Sequence, residues 1–284
     1  MPHYRSYDDA ELHYTELGSG PPLLCLAGGP GRGSAYLGDL GGLSAEYRLI
    51  VPDSRGTGGS PAASDPARYA FPAVAEDVES LREHLGLERW PVLAHDAGAA
   101  TAQAYAAAHP QHLTAMVLVG PGSRLQGELP EDAREIFASR RSEPWWPDAA
   151  EAVRLLSAPV SMEDVPGLLL RAAPMGYARW EAPQRAHARA EGEQINPVPR
   201  AGFWQGVDDH ARRALLERLR EVECPVLVLT GELDALSGLR AGRLVAESFP
   251  KGAARTLPVT GHYPWVDDPE AFRTAVTEFL ATTP

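Results

Sequence analysis

Short apolar runs alternate with amphipathic stretches along most of the chain. Residues 23–27, 48–52, 91–95 and 114–119 are dominated by Leu, Ile, Val and Ala and end in turn-forming residues, which predicts buried strands. Ahead of them, residues 4–7 and 11–16 read as a hairpin that turns at Asp8-Asp9. Between the runs, residues 34–43, 72–85 and 97–109 read as helices. In the second of these, Val74, Val78, Leu81 and Leu85 fall on one helix face. Beyond about residue 122 the pattern changes to a stretch rich in Pro, Arg, Glu and Trp, which predicts several helices and no strand up to about residue 219. Alternation then resumes, with strands at 226–230 and 254–258 and helices at 237–249 and 269–280.

Strand alternating with helix predicts an α/β fold whose mostly parallel, eight-stranded sheet is covered on both faces. The sheet continues on both sides of the helical stretch. Residues 1–121 and 220–284 are therefore read as one core and residues 122–219 as a helical cap inserted after the sixth strand.

Composition narrows the partners. The 284 residues are 44% hydrophobic, enough for a sizeable core, and carry a formal charge of −12 from 26 basic and 38 acidic residues. That balance argues against nucleic acid or an anionic membrane surface and favours a small-molecule substrate. The first residues are polar, and no apolar run approaches bilayer length. Cys25 and Cys224 sit in or beside apolar strands, which predicts buried free thiols and, with the polar start, a cytoplasmic location. His187 and His210 lack partners at ligand spacing, so no metal is expected, and no cofactor motif is present. Oligomeric state is not legible.

Three loops carry the chemistry. Leu93-Ala94-His95-Asp96-Ala97-Gly98-Ala99 joins a strand to an Ala-rich helix, and its small residues permit a sharp corner at Asp96. Gly231-Glu232-Leu233-Asp234 follows a strongly apolar strand, and Thr260-Gly261-His262-Tyr263-Pro264-Trp265 follows the last strand. The first loop resembles the G-x-S-x-G nucleophile elbow of α/β-hydrolases, with Ala94 for the first glycine and Asp96 for serine. The other two resemble that family's acid and histidine loops, in the chain order the family uses. The resemblance implies a triad of Asp96, Asp234 and His262.

Two further segments fit. Ala27-Gly28-Gly29-Pro30-Gly31 resembles the H-G-G-P-G loop of proline-iminopeptidase-like hydrolases, with Ala27 for histidine. Asp53-Ser54-Arg55-Gly56-Thr57-Gly58-Gly59-Ser60 resembles their D-x-R-G-x-G-x-S loop, read here as structural. The resemblance implies an oxyanion hole built from the N–H groups of Gly29 and Ala97.

Aspartate at the elbow changes the reaction. It is already ionised near neutrality, with an ordinary pKa of ~3.9. Attack on an acyl carbon would give a high-energy anhydride, whereas attack on an alkyl carbon gives an ordinary ester. Epoxide hydrolases and haloalkane dehalogenases of this fold share the arrangement, and resemblance to them implies that His262 acts second, on the water that hydrolyses the ester. Ala97 cannot supply the Trp side chain that follows the nucleophile in such dehalogenases. The adjacent pair Trp145-Trp146 resembles that of epoxide hydrolases from aromatic-polyketide pathways, and with Tyr177 and Trp204 it forms the expected substrate contacts. The leading expectation is an epoxide hydrolase. The alternatives are a serine-type iminopeptidase or esterase inactivated by Asp at the nucleophile position, and a dehalogenase.

Overall fold

A computed structural model describes residues 2–161 and 163–283. The strands are β1 (His3–Arg5), β2 (Glu11–Leu17), β3 (Pro22–Leu26), β4 (Arg48–Pro52), β5 (Trp90–His95), β6 (Leu113–Val119), β7 (Val226–Gly231) and β8 (Gly252–Leu257). They form one sheet in the order β1-β2-β4-β3-β5-β6-β7-β8, with β1 and β2 antiparallel and every pair from β3–β4 onward parallel. The predicted hairpin forms, pairing Arg5 with Glu11. β3, β5, β6 and β7 are buried along almost their whole length, which is why they read as continuous apolar runs.

The helices are α1 (Phe71–His84), α2 (Gly98–Ala108), α3 (Asp132–Ser139), α4 (Trp146–Leu156), α5 (Val165–Ala172), α6 (Ala182–Arg189), α7 (Glu191–Gln194), α8 (Pro197–Gly202), α9 (Asp209–Leu219), α10 (Leu239–Glu247), α11 (Pro264–Asp267) and α12 (Pro269–Ala281). α1 buries Val74, Val78 and Leu81 against the sheet, the face its spacing predicts. α2 is buried almost all round, so its alanines admit the close approach of β3. A Cβ on Gly98 would lie 2.6 Å from the carbonyl oxygen of Ala27, so that position takes no side chain.

Two sequence expectations need correction. Residues 34–43 form no continuous helix: 3₁₀ turns at Ser34–Leu37 and Leu43–Ala45 are separated by Gly38, Leu40, Gly41 and Gly42, all at positive φ. The predicted limit of the helical insert at residue 219 also falls one helix too late. α9 packs against α2, and Leu219 belongs to the core cluster beside that helix. Cys25 and Cys224 are free and buried, and burial pushes both thiols up, Cys224 to about 11. Among the described residues, no helix is long and apolar enough to cross a membrane.

Register places the site. Leu26 of β3 pairs with Ala94 of β5, so the chain leaves both strands at the same level. β3 is also where chain order reverses, with β4 on one side and β5 on the other. Loops at the carboxyl ends of strands beside such a reversal line a crevice.

The Asp53–Ser60 loop is structural, as its sequence suggests. Arg55, 3% exposed, donates from Nε and Nη2 to both oxygens of Asp77 at 2.8 and 2.6 Å, and from Nη1 and Nη2 to Asp8 at 2.9 and 2.7 Å. Burial pushes the Asp77 carboxyl up, and its bonds from Arg55 oppose that shift. Removing one member of a buried ion pair leaves the other uncompensated. Arg55→Leu is therefore expected to destabilise the fold by about 3–5 kcal/mol in urea unfolding. A loss below about 1 kcal/mol would put the pair on a par with a surface salt bridge and refute its structural role.

Candidate active site

Asp96 stands at the corner between β5 and α2 with φ 49°, a left-handed conformation that a non-glycine residue adopts at a cost. Its amide donates to the carbonyl of Val119 at 2.9 Å, which ties the corner to β6. This conformation lifts the carboxylate off the sheet toward the β3 loop. There Oδ2 accepts from the Gly29 N–H at 2.8 Å. A Cβ on Gly28 would meet Asp96 Cβ at 2.7 Å and Oδ2 at 2.8 Å, so this approach requires glycine. The N–H of Ala97, at the start of α2, has no protein acceptor among the described residues. One predicted donor is thus on the carboxylate and the other is free.

Asp234 is fully buried in the loop after β7. Its Oδ1 accepts from the amides of Leu236 and Ser237 at 2.9 and 3.0 Å, and its Oδ2 is 2.9 Å from His262 Nδ1. An ionised carboxylate there accepts the Nδ1 proton and leaves the Nε2 lone pair facing Asp96. The Nε2 to Asp96 Oδ1 distance is 3.9 Å, too long for a direct hydrogen bond. Burial pushes the His262 imidazole down, but the charge and hydrogen bond of Asp234, with Asp96 behind them, outweigh it and raise the pKa. The His262 amide is held by the carbonyl of Gly176, from the helical insert, at 2.8 Å.

The structure also assembles groups that were not singled out as site residues. Arg32, 3% exposed, lies with its guanidinium 4.2 Å over the Tyr36 ring. It donates from Nε to Gln194 at 2.9 Å and from Nη1 to the Tyr263 hydroxyl at 3.3 Å. Glu191 is 3.9 Å from Nη1, and Nη2 is buried without a partner. The same insert segment is laced to the loop that carries Gly29. Gly33 N–H donates to the Gln194 carbonyl at 2.9 Å, and Asn196 N–H to the Gly31 carbonyl at 2.8 Å. The sequence signal was an arginine inside a Gly-rich loop, with nothing local to show that its acceptors Gln194 and Tyr263 lie 162 and 231 residues away.

The cap aromatics divide into two groups. The Trp146 indole N–H donates to the Phe137 carbonyl at 2.9 Å, and its ring stacks on Phe137. Tyr177 is buried with its hydroxyl 2.7 Å from His187 Nδ1, whose Nε2 lies 2.9 Å from the Tyr36 carbonyl. A carbonyl can only accept, so His187 carries its proton on Nε2 and Tyr177 donates to Nδ1. The side-chain hydrogens of Trp146 and Tyr177 are thus both taken up by protein acceptors. Trp145 lies between Phe137 and the Arg140 guanidinium, 4.7 Å from its ring. Trp204 packs on Phe71 under Arg124, 4.4 Å away. Neither of these two indole N–H groups has a protein acceptor among the described residues. Neither Trp145 nor Trp146 makes a hydrogen bond or ring contact with Asp96, Gly29 or His262.

One cluster of metal-ligand type, Glu79, His109 and His112, was not foreseen. Glu79 already accepts from Arg82 and from Tyr105, and these bonds outweigh its burial and hold its carboxyl down to about 2. With the Arg82 cation 2.6 Å from the carboxylate, the cluster is satisfied as an ion-pair network.

Comparison with known proteins fits this geometry. The alpha/beta hydrolase fold family model matches residues 21–269. A proline iminopeptidase of Xylella fastidiosa (strain Temecula1) is 28% identical, over 90% of this chain and 88% of its own. A 2-hydroxy-6-oxo-6-phenylhexa-2,4-dienoate hydrolase of Comamonas testosteroni is 27% identical, over 97% and 93%. Among solved structures, the esterase RhEst1 from Rhodococcus sp. ECU1013 superposes with a TM-score of 0.71 at 25% identity, covering 100% of this chain and 99% of that one. With the family match spanning the elbow, the acid loop and the histidine loop, this chain belongs to the alpha/beta hydrolase fold family and is a hydrolase.

Proposed function

We propose that this hydrolase opens epoxides through a covalent ester on Asp96, on an aromatic or polyketide-like small molecule. One observation carries the reading: the elbow carboxylate rests with Oδ2 on the Gly29 N–H, while Oδ1 faces His262 without bonding to it. Oδ1 is then the free nucleophile. It attacks an epoxide carbon, the C–O bond breaks, and the departing oxygen takes a proton from a donor or from water. His262 Nε2 next removes a proton from a water that attacks Cγ of the ester. The negative charge forms on Oδ2, already at the Gly29 N–H, with the unpaired Ala97 N–H as the second donor the family resemblance implies. Collapse expels the diol oxygen, which takes a proton from His262, and the Asp96 carboxyl left behind releases the second water proton to the group that protonated the epoxide oxygen, restoring the carboxylate. A serine hydroxyl needs a base before it attacks, and the 3.9 Å gap is compatible with a carboxylate that needs none.

A second reading rests on the likeness to the iminopeptidase: a serine-type hydrolase whose nucleophile became aspartate, binding without turnover. A dehalogenase is less favoured, because Ala97 offers a halide no side-chain donor.

Isotope labelling separates these readings. In one turnover of an aryl epoxide in ¹⁸O-water, the heavy oxygen is expected in the peptide containing Asp96, and the diol is expected unlabelled. Label in the diol alone would show direct attack by water. Absence of any turnover across aryl epoxides would favour the second reading.

His262→Gln keeps the carboxylate and removes the base. A substrate-sized adduct on Asp96 is expected to accumulate in intact-protein mass spectra, while native enzyme shows kcat falling as pH drops through the raised His262 ionisation. The neutral imidazole is the working form, so activity is retained above that midpoint and lost below it. An unmodified variant, with a substrate the native enzyme opens, would defeat the two-step scheme.

The two tryptophan groups make opposite forecasts. Trp204→Phe removes an uncommitted donor and is expected to cost about a hundredfold in kcat if that N–H serves the epoxide oxygen. Trp146→Phe removes a bond to Phe137 and should lower stability with little change in rate. Equal kinetic effects in both variants would remove Trp204 from the site.

A further inference from the structure

His95 precedes the elbow residue and is 1% exposed. Its Nε2 is 3.0 Å from the backbone carbonyl of His262, and its Nδ1 is 2.8 Å from the Tyr36 hydroxyl. That hydroxyl is in turn 2.7 Å from the N–H of Gly28. Every direction in this chain is fixed by chemistry. The His262 carbonyl can only accept, so Nε2 holds the proton of a neutral ring. The Gly28 N–H can only donate, so the Tyr36 oxygen accepts it and the hydroxyl proton goes to Nδ1. Burial, the nearby His262 and Arg32 charges, and His187 hold the imidazole well below its ordinary pKa, consistent with a neutral ring. A second proton would sit on Nδ1, turn the Tyr36 hydroxyl from donor to acceptor, and leave that phenol proton without its acceptor.

The chain therefore joins three segments that are remote in sequence: the loop carrying the Gly29 donor, the residue beside the nucleophile, and the backbone of the base. We propose that His95, acting with Tyr36, is a positioning residue that sets the oxyanion donor and the His262 ring relative to the Asp96 carboxylate. The proposal rests on the ester mechanism above for its kinetic meaning. Both limbs of the relay serve groups used in ester hydrolysis: Gly28 precedes the hole residue, and the His262 carbonyl belongs to the base. The attack of Oδ1 on the epoxide does not use His262 and draws on the Gly29 limb only to hold Oδ2, so it is the less sensitive step.

Single-turnover mass spectrometry on Tyr36→Phe, His95→Gln and the double variant distinguishes the two steps. Ester formation on Asp96 is expected within about twofold of native, and ester decay is expected to slow roughly ten- to a hundredfold in each single variant. Because both residues serve one chain, the double variant should lose no more than the worse single variant, not the product of the two. A merely structural role would lower Tm and the folded fraction while leaving the decay rate of folded enzyme at the native value, and that result would overturn the proposal. Additive losses would overturn it as well. If native enzyme forms no ester with any epoxide, the mechanism above fails and the relay is judged by ¹⁵N NMR alone. A neutral Nε2–H ring at His95 that shifts the His262 resonances on Tyr36→Phe supports it. A charged or Nδ1–H ring at neutral pH refutes it.

Discussion

The left-handed turn at Asp96 is the constraint on which the site depends. A carboxylate at φ 49° must be held there by its neighbours, because the isolated residue prefers other conformations. β6 accepts the Asp96 amide, α2 begins immediately after the corner, and β3 brings glycine backbone against the carboxylate. Two of these approaches demand glycine: a Cβ on Gly28 would meet the Asp96 side chain and one on Gly98 the Ala27 carbonyl, pushing the β3 loop away from Oδ2. The alanine-rich, almost fully buried α2 follows from the same demand, since the helix must lie close to β3 for the Gly29 N–H to reach the carboxylate.

Electrostatic arrangement follows from this geometry. Asp234 is buried without a cation, and its charge is distributed over two backbone amides and the His262 Nδ1–H. Those bonds fix the imidazole tautomer and raise its pKa in a place where burial alone would lower it. His95 and His187 show the contrary case: neither has a carboxylate partner, and burial drives both down, His187 to about 4. Two buried histidines, His95 and His262, and the half-buried His187 share one aromatic cluster yet hold different protonation preferences because their hydrogen-bond partners differ. Arg32 sits among them, with its charge shared between the Tyr36 ring, Gln194 and the more distant Glu191.

The helical insert contributes to the site in a way its composition did not suggest. It meets the site through backbone: residues 194–196 pair with the Gly31–Gly33 segment, and Gly176 holds the His262 amide. The Arg32–Ile195 bridge adds a short antiparallel contact between insert and core. Both the Gly29 loop and His262 are therefore steadied from the insert side, while several of its aromatic side chains are spent on its own packing, as the Phe137–Trp146 stack shows.

The sequence by itself determined the alternation of strand and helix, the three loops and their order. These are local properties: the period of apolar residues states which face is buried, and small residues around Asp96 state that the corner is tight. Resemblance to the D-x-R-G-x-G-x-S loop marked Asp53–Ser60 as structural, although it did not name the buried partner Asp77. What the tertiary structure decided is which distant groups each side chain meets. Residues 34–43 have enough apolar content for a helix, but Gly41 lies against Pro269 and Trp265, and the chain there takes positive φ to fit. Leu219 and its helix look like cap by composition and pack as core because α2 lies beside them. Trp146 was legible as an aromatic with a donor, but the acceptor of that donor is a backbone carbonyl that no periodicity reveals. The relay through His95 is the extreme case, since His95 and His262 lie 167 residues apart and only folding brings the His262 carbonyl to the imidazole. Local pattern encodes burial, whereas hydrogen-bond partnership is a property of the packed chain.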